Sequence, residues 1–148
     1  MEDASVLRGK GNESFQEGRL KPAAHFYTRA LMCPAIRPMD RKACLSNRAE
    51  FFLRLEQWED AESDCRDVLI LEHGHVKAKF RLAKALLHTG LSAMATAHID
   101  ELLVSDANNK LFQALKHFSE RLVLDARLAR DPAESCISTR ESESRFST

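Results

Sequence analysis

The stretch Leu45–Val68, LSNRAEFFLRLEQWEDAESDCRDV, decides the fold of this 148-residue chain because its pattern occurs three times. Six positions of the stretch, most of them small or apolar, have counterparts thirty-eight residues earlier and thirty-four residues later. The earlier set is Leu7, Gly11, Leu20, Ala23, Tyr27 and Ala30, the central set is Leu45, Ala49, Trp58, Ala61, Cys65 and Val68, and the later set is Lys79, Ala83, Ser92, Ala95, Ile99 and Leu102. A period in this range is typical of a solenoid of helix–turn–helix units, in which small residues let paired helices approach closely.

Helix breakers fall where this period requires them. Gly18 and Gly90 suit left-handed residues after a helix. Pro34 and Pro38 predict a longer connection over residues 33–39, and this insertion explains the larger first spacing. We therefore predict helices over about 4–17, 21–32, 41–55, 58–72, 75–89 and 92–105.

A seventh helix is predicted from about residue 110 to 130, after the helix-initiating pair Asn108-Asn109. Its apolar residues at helical spacing are Leu111, Leu115, Phe118, Leu122 and Leu128. A terminal helix with a polar outer face covers the last exposed core of a solenoid. After Asp131-Pro132, the chain is rich in serine and threonine and poor in apolar residues, which predicts a flexible tail.

The predicted fold class is therefore an all-α solenoid of three helix–turn–helix repeats with a C-terminal capping helix. The domain covers residues 4–130, with repeats over about 4–35, 41–73 and 75–107 and the capping helix over 108–130. Residues 131–148 form the tail. A hydrophobic content of 44% is enough for one continuous core.

Charge and composition narrow the classes of function. The 22 lysine and arginine residues equal the 22 aspartate and glutamate residues, so no overall field favours nucleic acid or an anionic membrane. There is no run of eighteen apolar residues, and the acidic start Met1-Glu2-Asp3 is unlike a secretory signal. We expect a cytoplasmic monomer. We also expect it to need no metal or cofactor, because the sequence shows neither metal-ligand spacing nor a phosphate-binding glycine loop.

Polar side chains that could hold a ligand recur on the first helix of each repeat. On the first helix, Arg8 and Asn12 are four residues apart and so project from one face. The corresponding residues on the later inner helices are Asn47, Lys77 and Arg81, with Lys84 about one turn beyond Arg81. In a right-handed stack these helices line the concave groove, so we expect one cradle of cations and amides.

Basic pairs at this spacing are common on solvated helix faces and mean little alone. The register is more specific, because it resembles the tetratricopeptide repeat from about Ser5 to Ala107. Three stretches match the two-carboxylate clamp of cochaperone-type tetratricopeptide domains: Arg8-Gly9-Lys10-Gly11-Asn12, Ser46-Asn47-Arg48-Ala49 and Lys77-Ala78-Lys79-Phe80-Arg81-Leu82-Ala83. The chain is most similar to the amino-terminal domains of myosin-chaperone-type and immunophilin-type cochaperones.

The resemblance implies a non-enzymatic adaptor that binds the C-terminal Glu-Glu-Val-Asp of heat-shock protein 90, heat-shock protein 70 or both. Arg8, Lys77 and Arg81 would then supply charge-assisted donors to the two carboxylates of the terminal aspartate. Asn12 and Asn47 would donate amide hydrogens and accept hydrogen bonds from the peptide backbone. Phe15, about one turn beyond Asn12, is a candidate wall for the valine, although ordinary repeat packing would also explain it.

Two residues depart from the clamp pattern. Arg8 stands where lysine is usual, which keeps the charge but replaces a point charge by a planar fork. Glu50, three residues after Asn47, would repel an acidic peptide unless Lys84 or Arg48 neutralises it. Glu50 therefore favours an alternative in which the groove binds an internal segment of a dedicated partner in an assembly complex.

Overall fold

The computed structural model describes residues 2–130 of the chain, and every regular element within that range is a helix. The elements are α1 (Ala4–Gln16), α2 (Leu20–Leu31), α3 (Pro38–Arg54), α4 (Trp58–Leu71), α5 (Val76–His88), α6 (Ser92–Ser105) and α7 (Lys110–Arg130). The predicted all-α solenoid of three helix pairs and a terminal helix is confirmed. The prediction of a flexible tail over 131–148 lies outside the described residues.

The helices form an inner and an outer layer. Successive helices pack in pairs, and α1, α3, α5 and α7 also touch one another along the stack. Within residues 2–130, the alternate helices α2, α4 and α6 make no such contact with one another. Since the odd-numbered helices lie closer together, they form the concave face, and the side chains discussed below project from three of them.

The repeating small residues create the close helix pairs that the register predicts. Gly11 on α1 is buried, and its Cα faces the ring of Tyr27 on α2 so closely that a Cβ would lie 2.5 Å from Tyr27 Cε1. Ala49 and Ala83 stand at the position of Gly11 in the other two repeats and are fully buried. The small residues of the second helix in each repeat are also fully buried: Ala23, Ala61 and Ala95. The small residues therefore set the distance between the helices of each pair.

In each of the three repeats, one residue with left-handed backbone follows shortly after the end of the inner helix, at the same register. Gly18 has φ 78° and Gly90 has φ 84°, as predicted, but the second repeat uses Glu56, with φ 58°. Equivalent backbone bonds close the turns, for example from Arg19 N to Ser14 O (2.8 Å) and from Gln57 N to Phe52 O (2.8 Å). Glu56 therefore adopts a conformation that glycine adopts at lower cost.

The third helix begins earlier than predicted. The sequence predicts a longer connection over residues 33–39, but α3 starts at Pro38, which is its first helical residue. Proline is well tolerated there because its fixed φ is helical and the first backbone N–H of a helix has no partner within the helix. The longer α3 brings Asp40 into its first turn, where it is buried.

Helix α7 closes the end of the solenoid against α5 and α6. Asn109 caps it by accepting hydrogen bonds from the backbone N–H groups of Leu111 (3.0 Å) and Phe112 (3.3 Å). The buried face differs from the predicted one, because Phe112 and Leu115 are buried while Leu111 is exposed. None of the helices within residues 2–130 has both the length and the hydropathy needed to cross a lipid bilayer.

Candidate peptide-binding site

The two predicted asparagines meet on the concave face. Asn47 Nδ2 on α3 donates to Asn12 Oδ1 on α1 at 3.2 Å, and the Tyr27 hydroxyl donates to the same oxygen at 2.8 Å. Burial raises the pKa of Tyr27, so its hydroxyl remains a donor at neutral pH. The oxygen of Asn12 is thus fully used inside the protein, so the prediction that it accepts from a peptide backbone was wrong. The amide N–H groups of Asn12 are left to donate to a ligand. Sequence reasoning missed this role of Tyr27, although its position opposite Gly11 was visible in the register.

Arg81 is tied to α3 by three contacts. Its Nη1 donates to the Ser46 backbone oxygen at 2.8 Å and to the Ser46 hydroxyl at 2.9 Å. Its Nε lies 3.1 Å from Glu50 Oε2. Because Ser46 precedes Asn47, these contacts hold the third-repeat cation next to the asparagine pair. Only 17% of the Arg81 side chain is exposed, so the guanidinium is held in a defined position.

Glu50 lies beside Arg81, and its partners are not the two cations that the sequence suggested. One carboxylate oxygen faces Arg81, and the other lies 3.2 Å from the Nε of Arg54, one turn along α3. Lys84 instead lies with its Nζ 5.6 Å from the centre of the Phe80 ring, and it forms no ion pair in the described part of the chain. Neither Lys84 nor Arg48, the two cations that the sequence suggested as possible partners, neutralises Glu50; Arg81 and Arg54 do so instead.

Arg48 projects away from the concave strip, towards α4. It forms two hydrogen bonds of 2.7 Å with the carboxylate of Asp64 and a third with the Thr28 hydroxyl at 3.2 Å. Burial raises the pKa of the Asp64 carboxyl, while the bonds from Arg48 oppose that rise. The Asp64 carboxylate in turn raises the pKa of the Arg48 guanidinium. Arg48 therefore joins the two layers of the solenoid and lies outside the candidate site.

Arg8 lies at the other end of the strip, beside a buried carboxylate. Its Nε is 3.1 Å from Asp40 Oδ1, and the second oxygen of Asp40 accepts a hydrogen bond from the Nε of Arg37 at 2.9 Å. No sequence pattern pointed to Asp40, which reaches this position only because α3 begins at Pro38.

Lys77 and Phe15 complete the set of predicted residues. Lys77 lies one turn before Arg81 on α5, and it is exposed and forms no ion pair with any described residue. Phe15 is half-buried against the α1–α2 core, and the guanidinium carbon of Arg54 lies 5.0 Å from the centre of its ring. Arg54 therefore joins the site, and its spacing of four residues from Glu50 is the signal that could have found it.

The charges of the strip suit the binding of an anion. It carries the cations Arg8, Arg54, Lys77, Arg81 and Lys84 against two carboxylates, so it attracts anions. Burial raises the pKa of Cys44 to about 11 and that of Cys65 to about 12, which keeps both thiols protonated and unreactive. Within residues 2–130, no three histidine, cysteine or acidic side chains gather as metal ligands would.

Comparisons with known proteins agree with this fold and register. The Hsp70/Hsp90 co-chaperone cns1 of Schizosaccharomyces pombe is 41% identical over 86 residues, which cover 58% of this chain and 24% of that protein. No protein-family model matches the chain. The chain spans between 12% and 24% of the length of curated relatives such as this one and rat sperm-associated antigen 1.

Two solved structures are similar over most of the chain. The first tetratricopeptide domain of Spaghetti (RPAP3), bound to the HSP90 peptide SRMEEVD, has a TM-score of 0.69 and 28% identity, and the alignment covers 82% of this chain and 94% of that one. The Caenorhabditis elegans myosin chaperone UNC-45, in complex with a Hsp90 peptide, has a TM-score of 0.73 and 27% identity over 86% of this chain and 14% of that one. Helix order, repeat register and these likenesses together identify the chain as a tetratricopeptide-repeat domain, similar to two such structures that hold Hsp90 peptides.

Proposed function

We propose that the chain is a non-enzymatic adaptor that acts in the cytoplasm and binds peptides ending in Glu-Glu-Val-Asp, the C-terminus of heat-shock protein 90 and heat-shock protein 70. The observation that carries this proposal is the grouping of Asn12, Asn47 and Arg81, linked through Tyr27 and Ser46, on one concave strip. Structures similar to this chain hold Hsp90 peptides, including one that ends in EEVD.

The chemistry of the strip suits a C-terminal aspartate. Such a residue offers a main-chain and a side-chain carboxylate at a short fixed distance, which an internal residue does not. Lys77 and the free edge of Arg81 supply charge-assisted donors at one end, and Arg8 supplies another beside the asparagines. The amide N–H groups of Asn12 are available between them.

The expected affinity is micromolar. Charge-assisted hydrogen bonds each contribute about 1.5 to 3 kcal/mol, and ordering a disordered peptide offsets much of that sum, which leaves about −7 to −8 kcal/mol. Because Lys77 is exposed and Arg8 is partly exposed, added salt should weaken binding.

The test is calorimetric titration with two peptides that share a sequence ending in Glu-Glu-Val-Asp, one with a free C-terminal carboxylate and one amidated. We expect micromolar binding of the free acid and a large loss with the amide. Arg81→Ala should weaken the binding of the free-acid peptide by about 2 to 5 kcal/mol. The control is Arg66→Ala on the outer helix α4, away from the groove, where the ion-pair partner of Arg66 among the described residues is Glu62.

The alternative, a scaffold that binds an internal segment of a partner, is favoured by one observation. The Glu50 carboxylate already pairs with the Arg81 Nε, as a ligand carboxylate would. Equal binding of the free-acid and amidated peptides would support this alternative. Absence of binding by both peptides at millimolar concentration would exclude the adaptor function.

A further inference from the structure

We propose that Asp40 positions the guanidinium of Arg8, and that it makes arginine rather than lysine the effective cation at position 8. This inference rests on the proposed function, because it concerns the cation at one end of the same peptide site. Asp40 lies in the first turn of α3 and is only 1% exposed. A carboxylate so deeply buried is stable only when cations or hydrogen-bond donors compensate its charge.

Two cations from different parts of the chain compensate Asp40. Arg37, just before α3, donates from Nε to one carboxylate oxygen at 2.9 Å. The other oxygen lies 3.1 Å from Arg8 Nε on α1. Arg8 Nε and Asp40 Oδ1 are both shielded from solvent, and neither forms a hydrogen bond in the described structure, even with the other. At 3.1 Å they form an ion pair, and the attraction between the two buried charges holds this side of Arg8 against Asp40.

The rest of Arg8 remains accessible. Its side chain is 31% exposed although Nε is hidden, so the accessible surface belongs to its other atoms. A guanidinium is a rigid fork whose Nε edge can face one carboxylate while its terminal nitrogens donate to another. An ammonium is a single point charge, and at this position the buried Asp40 would draw it away from a peptide.

The proposal connects two departures from the regular repeat. The insertion over 33–39 supplies Arg37 and leads into the early start of α3, which places Asp40 beside α1. The arginine at position 8 stands where the related clamps have lysine. We infer that these two features form one arrangement, in which the inserted segment supplies the anchor and α1 supplies a side chain able to use it.

The experiment compares the affinity of the free-acid peptide for the wild-type chain, Arg8→Lys, and the double variant Arg8→Lys/Asp40→Asn. Arg8→Lys should weaken binding by about five- to tenfold. The double variant should bind within about threefold of the wild type, because the lysine is released from the buried charge. Arg66→Lys on α4 is the control for the same chemical exchange outside the groove, and it should bind as the wild type does.

A second measurement does not depend on the folding of the Asp40 variant. The signal of the Arg8 Nε–H proton is identified in the wild-type chain as the one that disappears in Arg8→Lys. This proton should exchange slowly with water and stay protected when peptide saturates the site. Three results would each overturn the inference and leave the proposed function intact. They are wild-type affinity in Arg8→Lys, no recovery of affinity in a folded double variant, and rapid exchange of the Arg8 Nε–H proton. Failure of the wild-type chain to bind the peptide would remove both.

Discussion

The Glu50 side chain offers the sharpest test of the candidate site, because it competes with a ligand for Arg81. In the structure, Arg81 uses Nε for Glu50 and Nη1 for Ser46, so an incoming carboxylate meets only the remaining edge of the guanidinium. Glu50→Gln removes the charge and keeps the shape. Two effects then oppose each other: the repulsion of the peptide disappears, but one contact that holds Arg81 in place weakens.

The structure indicates that the loss of repulsion dominates. Two carboxylates about 6 Å apart repel by about 0.7 kcal/mol in bulk water and by about 3 kcal/mol at an effective dielectric constant near 20. Arg54 neutralises part of Glu50, whose side chain is 28% exposed, and salt screens the remainder. Ser46 still holds Arg81 through two hydrogen bonds. We therefore expect Glu50→Gln to tighten binding by about 0.5 to 1 kcal/mol, a factor of about two to five.

Calorimetry with the free-acid peptide at low and at high salt measures this change, and the gain should shrink as salt rises. Glu62→Gln is the matched control, because Glu62 pairs with Arg66 at the same i,i+4 spacing on the outer helix α4. Its affinity for the peptide should stay unchanged. Unchanged or weaker binding by folded Glu50→Gln would show that Glu50 orients Arg81 more than it repels the ligand, and the competition argument would be refuted.

Three further predictions concern the fold that carries the site. His75 Nδ1 caps α5 by accepting a hydrogen bond from the Ala78 N–H at 3.1 Å, and burial lowers the His75 pKa. As pH drops below about 6.5, the unfolded chain therefore takes up the proton first, and the free energy of unfolding falls. His75→Asn keeps the cap and should flatten this dependence in urea unfolding at several pH values. Glu56→Gly should raise the unfolding free energy by about 0.5 to 1 kcal/mol in chemical denaturation, and a loss would refute the cost assigned to its left-handed backbone. Arg48→Ala should lower the unfolding free energy by about 3 to 5 kcal/mol because it strands the buried Asp64, and a small loss would show that this pair is not structural.

Much of the helical architecture was predictable from the sequence, because every repeat needs the same kinds of residue at the same positions. Wherever two helices pack closely the chain needs a small residue, and wherever an inner helix turns back it needs a residue that tolerates positive φ. The first need is visible at Gly11 and its alanine counterparts, and the second at Gly18 and Gly90. Glu56 occupies the same register, and its unusual φ could have been predicted from the period alone.

The buried face of α7 was harder to predict, because no repeat follows it. Spacing alone selects Leu111 and Phe118 as well as Leu115, yet among the described helices α7 contacts only α5 and α6. Phe112 and Leu115 fill that side, while Leu111 and Phe118 remain exposed. A terminal helix has apolar residues beyond those it buries, so its sequence does not determine which of them face the core.

The candidate site shows the same division between residue identity and partnership. Asn12, Asn47 and Arg81 could be selected from the register, and the structure brings them together. Their partners could not be selected, because a carboxylate chooses among cations by distance across helices. Glu50 pairs with Arg81 and Arg54, although the sequence offered Arg48 and Lys84 equally well.

Two carboxylates thus lie beside the two arginines of the proposed clamp, and burial separates their roles. Asp40 is almost completely buried and shared by Arg8 and Arg37, so a soluble peptide cannot displace it, and its effect is to hold an arginine in place. Glu50 is partly exposed, so water and a ligand can reach its ion pair with Arg81, and its effect is to compete. Neutralising Glu50 should therefore tighten peptide binding, whereas neutralising Asp40 should matter chiefly when position 8 carries a lysine.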